Sequence, residues 1–109
     1  MDIDLDKLGK NLTTALSAVA GTHWSAIKQL SKEDLEFIKA TTTALAADVT
    51  AGRVTQEQAE MEAEDLRVAI EGMRDVLEIE GKVLAQDLVN AAMKVVSEAL
   101  NKAIGIALL

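Results

Sequence analysis

With 109 residues, a formal net charge of −7 and 50% hydrophobic residues, the chain is long enough for one core and too short for two. It has no proline or cysteine and only one Trp and one Phe, a composition of helical bundles rather than sheets that also excludes a disulfide framework and any thiolate nucleophile or metal site. Residues 54–81 carry nine acids against two arginines, so the whole net charge sits there; with no basic patch to release counterions from phosphate, no nucleic-acid partner is expected.

The alternating acidic start, residues 1–6, is the opposite of a basic signal-peptide start, so export by that route is not expected and the default location is cytoplasmic or within a viral particle. The first predicted element, helix A, covers residues 4–30. Asp2 or Asp4 serves as its N-cap, and its apolar stripe is Leu5, Leu8, Leu12, Leu16 and Val19. Residues 20–25 offer a glycine stop and a threonine restart at Gly21 and Thr22, read as a bend before Ile27 and Leu30 resume the stripe. Ser31 is the expected N-cap of helix B, residues 32–51, with Lys32, Glu33 and Asp34 as a tight connection. Helix B shows a heptad-like seam, Leu35, Ile38, Thr42, Leu45 and Val49, with Phe37 beside it.

Gly52 ends helix B as a left-handed C′ residue, and Thr55 with Gln58 forms the reciprocal capping pattern of the next helix, with Val54 as its staple. Helix C has its seam at Ala59, Ala63, Leu66, Ile70, Met73 and Leu77. No proline or run of turn residues follows, so one helix over residues 56–104 is the expectation. Gly81 is the one candidate break. There the seam shifts by a four-residue step, as a stutter does in a coiled coil, and residues 79–83 supply a glycine but no Ser or Thr cap, which argues for continuity. Beyond Lys82 a polar stripe that includes Gln86, Asn90, Lys94 and Asn101 leaves a wide apolar arc on the rest of the helix, and residues 104–109 end the chain without a charged side chain.

Lengths decide the predicted architecture. At 1.5 Å per residue, helices A, B and C are about 40, 30 and 73 Å long, so an antiparallel A–B hairpin covers only the first half of helix C. The expected fold is therefore one all-α domain, residues 1–109, that oligomerises through the second half of that helix. The association face is assigned to Leu84, Leu88, Ala92, Val95, Ala99 and Ile106. On this reading Leu88→Lys dissociates the oligomer and leaves helicity intact. The alternative is a four-helix bundle broken near Gly81, with helices of about 38 and 36 Å in place of helix C.

No catalytic, cofactor or metal site is expected. His23, the sole histidine, lies beside Trp24 and has Ala20 three residues before it, which rules out the paired Glu-x-x-His motif of a di-iron bundle. Ser17, Ser25, Ser31 and Ser97 lack a base, and no phosphate loop occurs. Glu33 with Glu36, and Glu57 with Glu60 and Glu64, share faces as solvated acids usually do. The same segment also reads as an acidic docking stripe for a basic partner. Met61, Met73 and Met93 are expected as core filler, and within the threonine run 41–43, Thr42 is the seam residue.

These features point to a non-enzymatic, self-assembling helical subunit of a structural or adaptor complex, such as a viral particle, with its own copies and other protein subunits as partners. The alternative is a module whose C-terminal helix lies on a membrane or other hydrophobic surface. A span is not expected, because residues 83–109 are interrupted by Asp87, Lys94, Glu98 and Lys102.

Overall fold

The computed structural model describes residues 3–106, and these form helices and connections with no strand. Asp2, the alternative N-cap, and the terminal apolar residues 107–109 lie outside the described residues. Four α-helices follow one another: α1 (Leu5–Ala20), α2 (Trp24–Thr50), α3 (Gln56–Leu77) and α4 (Lys82–Ile104). Single 3₁₀ turns at Gly21–His23 and Glu78–Glu80 join the first and last pairs.

Asp4 caps α1, its Oδ1 accepting from the backbone N–H of Asp6 at 2.9 Å and of Lys7 at 3.2 Å. Of the expected stripe, Leu8, Leu12 and Leu16 are buried, whereas Leu5, 46% exposed, and Val19, 37% exposed, fall at its solvent edge. At Gly21, with φ 54° and ψ −121°, the chain reverses, so the expected bend is a full turn. The connection expected at residues 31–34 does not exist, since α2 runs through it for 27 residues. The reason lies in the Ser31 hydroxyl. It is buried and donates to the Ile27 carbonyl at 2.7 Å, back-bonding within one helix instead of capping a new one. Helix A over 4–30 and helix B over 32–51 are therefore corrected to α1 and α2, the boundary moving to the glycine that can adopt positive φ.

The connection between α2 and α3 forms as the local residues dictate. Gly52 has φ 71°, its N–H donates to Val49 O and that of Arg53 to Asp48 O, which together make a Schellman stop. Arg53 Nε also donates to Asp48 Oδ1 at 2.8 Å. Thr55 Oγ1 accepts from Gln58 N at 3.1 Å while Gln58 Oε1 accepts from Thr55 N at 2.9 Å, closing the capping box.

Helix C is likewise corrected: α3 stops at Leu77, and Gly81, at φ 121° and ψ 136°, turns the chain back into α4. The expectation of continuity rested on the missing cap, and α4 does begin without a side-chain cap. With glycine at the cap position that absence costs only about a few tenths of a kcal/mol, and Lys82 and Val83 are exposed, where water can satisfy the free N–H groups. Against this, the turn lets Leu88, Val89, Val96 and Leu100 bury fully or nearly so, at about 1.5–3 kcal/mol each. Burial outweighs the cap.

α1 packs on α4 and α2, and α3 packs on α2 and α4, closing a ring in which α2 and α4 also meet across the centre. Both 3₁₀ turns lie at one end, where His23 Nδ1 is 3.4 Å from Glu80 Oε1, and Gly9 of α1 faces Lys39 of α2, as antiparallel neighbours require. The long axis of 42 Å matches α2, whose 27 residues reach about 40 Å. The core runs through every layer, from Leu12 and Leu16 through Ile27, Ile38, Leu66, Ile70 and Leu77 to Leu88 and Leu100. The hairpin-on-a-long-helix arrangement is thus replaced by the four-helix form with its break at Gly81.

Within the core, Thr42 is fully buried and its Oγ1 has no hydrogen-bond partner. An unsatisfied buried hydroxyl costs about 1–3 kcal/mol, and valine has nearly the same shape. Thr42→Val is therefore expected to raise stability by about 1 kcal/mol, seen as a higher urea midpoint at unchanged slope. A lower midpoint would mean that the hydroxyl is engaged, most simply with a backbone carbonyl one turn back.

Candidate functional site

The residues assigned to an association face are held by the chain's own helices. Leu88 and Ala92 are fully buried and Ile106 nearly so, while Leu84, Val95 and Ala99 are half-buried against the same core. The apolar arc of α4 is thus covered by α1, α3 and α2, and these six residues do not form an open surface. The length argument that exposed them depended on a continuous helix C.

The outside of α3 carries the feature that sequence periodicity passed over. Its buried seam is Ala59, Ala63, Leu66, Ile70, Met73 and Leu77. On the opposite side Met61 is 65% exposed and Val68 57%, seven residues apart along one line, while Val76, 44% exposed, stands at the flank of this outer face. Met61 is therefore not core filler, whereas Met73 and Met93 are. The signal was legible: Met61 and Val68 lie about 180° and 160° from Ile70 on a helical wheel. Glu57, Glu64, Asp65, Glu71 and Asp75 flank this line, all exposed. Arg67 offsets part of that charge, donating through Nη2 to Glu64 and through Nη1 to Glu71 at 2.7 Å. Its hydrogen bond to Glu64 holds that carboxyl below the usual range and raises the guanidinium in return. Among the described residues Glu57, Asp65 and Asp75 have no ion-pair partner. Arg74 turns the other way, donating to Gln86 Oε1 of α4 at 2.9 Å.

A groove of about 280 Å³ runs between α1 and α2, with Gly9, Leu12 and Thr13 on one wall and Lys28, Lys32 and Lys39 on the other. Half-buried Trp24 and Leu35 also line it and pack against the core. Lys39 Nζ is paired with Glu36 at 2.8 Å, but Lys28 and Lys32 have no ion-pair partner among the described residues. This juxtaposition was not legible in the sequence, because it depends on the reversal at Gly21.

His23 is exposed, with Glu80 Oε1 3.4 Å from its Nδ1, and among the described residues no three His, Asp or Glu side chains converge as metal ligands would. Phe37, 57% exposed, stands on α2 outside the core. No helix among the described residues is long and apolar enough to cross a membrane. Comparison with family models, curated proteins and solved structures finds no match, so the chain's own exposed faces carry the functional argument.

Proposed function

We propose that this chain is a non-enzymatic helical subunit that works by binding protein chains, its own copies included, within a structural or adaptor assembly of which a viral particle is one setting. The observation that carries this reading is the outer apolar pair of α3, Met61 and Val68, one helical repeat apart with Val76 at their flank, none of which packs into the chain's own core. Such outward apolar residues on a bundle serve as seams for neighbouring chains. The self-assembly reading is preferred to a surface-seeking C-terminal helix because Leu88, Ala92, Val96 and Leu100 of the apolar arc that helix would use are buried in the chain's own core.

Sedimentation across a concentration series tests the reading. A mass rising above the 11.6 kDa monomer by about tens of micromolar is expected. A constant monomer mass throughout would count against self-assembly. Co-sedimentation with anionic liposomes addresses the alternative, for which no binding is expected.

A further inference from the structure

We infer that copies of this chain associate head to tail, the acidic outer face of α3 on one copy seating in the lysine-lined α1–α2 groove of the next. The inference rests on the self-assembly just proposed and names the two faces that meet. The first observation is charge. The groove presents three lysines against Glu36, while the α3 stripe presents five acids against Arg67. The second is apolar matching: Trp24 and Leu35 line the groove, half-buried, and Met61, Val68 and Val76 stand out from α3. An aromatic in a groove beside charge-paired rims is the usual anatomy of a contact centre.

Length agrees as well. Lys28 to Lys39 spans about 16 Å of α2 and Asp65 to Asp75 about 15 Å of α3, at 1.5 Å per residue, so the two charged stretches are of similar length. Within one copy the two faces cannot meet, because the groove opens between α1 and α2 while the stripe is on the side of α3 away from the core. A symmetric pairing of α3 with α3 would oppose acid to acid, which like-charge repulsion disfavours. Where each copy offers its groove and its α3 face to different neighbours the contact is heterologous, and it extends into a ring or a chain according to whether its rotation closes. Gly72 lies on the outer face of α3, exposed and with open space beside its Cα, so a neighbouring helix can approach closely there.

Two surface variants test the contact: Lys28→Glu with Lys32→Glu in the groove, and Asp65→Lys with Asp75→Lys on the stripe. All four positions are exposed, so both variants are expected to keep the wild-type circular dichroism and melting behaviour. Each alone should weaken association by at least about tenfold at low salt. Mixed in equal amounts they should associate again, since each then supplies the charge the other lacks. Wild-type association should also weaken as salt rises from about 0.02 to 0.5 M, where the screening length falls to a few ångströms. Should both variants associate as the wild type does, or should their mixture fail to recover, this contact is wrong while self-assembly stands. A wild-type chain that stays monomeric removes both, and leaves the groove to an acidic partner of another kind.

Discussion

Gly81→Ala is expected to destabilise the bundle by about 1–3 kcal/mol, the cost of holding a non-glycine residue in a sparsely populated backbone region. Space is not the obstacle, since a Cβ there meets only the Leu84 Cβ at 3.9 Å. Conformation is: φ 121° with ψ 136° is a combination that L side chains rarely adopt. For a chain of this size the melting temperature should fall by roughly 4 to 12 °C. Gly72→Ala provides the internal control, because Gly72 lies inside α3 with open space around it and carries only the entropy penalty of glycine in a helix. That change should raise stability by up to about 1 kcal/mol. Thermal unfolding of both variants at matched concentration, with mass monitored, decides the matter. A stabilised Gly81→Ala protein would mean that residues 78–82 are helical and that α3 and α4 form one rod.

The largest effect is expected at Leu88. It is fully buried in α4, and truncation to alanine in such a site costs about 2–5 kcal/mol, the transfer term plus the cavity left behind. Leu88→Lys goes further. A lysine ammonium without a partner in this core cannot stay charged without a penalty of several kcal/mol, against a total stability of about 5–15 kcal/mol for a domain. Cooperative loss of helical circular dichroism is therefore expected, in contrast to the clean dissociation with helicity intact that a partner-facing Leu88 predicts. If the lysine variant keeps its helicity and only its mass changes, Leu88 faces another chain and the closed bundle is wrong.

Several elements were legible in the residues one by one. Asp4 as N-cap, the Schellman stop at Gly52 with Arg53 paired to Asp48, and the Thr55–Gln58 box all form as their local chemistry requires. The buried seam of α3 likewise follows spacing alone, and so does the middle of that of α1, Leu8 to Leu16, though Leu5 and Val19 at its ends are exposed. Ser31 shows where such reading fails. A serine followed by acids matches an N-cap, yet the same hydroxyl can bond back to the carbonyl four residues earlier, and nothing local ranks the two outcomes. In the chain it chose the second, at Ile27 O. The exposed pair Met61 and Val68 was also present in the spacing, hidden beside a stronger seam, whereas the lysine groove joins residues brought together only by the turn at Gly21.

The sequence by itself determined that this chain is helical, where α2 passes into α3, and which residues of α3 point inward, because those outcomes are set by interactions within one or two helical turns. The tertiary structure decided where the other two reversals fall and what covers α4. Gly21 and Gly81 each permit a turn and neither compels one: a glycine within a helix and an uncapped helix start differ by about 1 kcal/mol. What tips the balance is non-local. Folding α4 back against α1 and α3 buries an apolar arc centred on Leu88, Ala92, Val96 and Leu100, a gain several times larger than either local term, and one that no stretch of sequence shows until its neighbours in space are known.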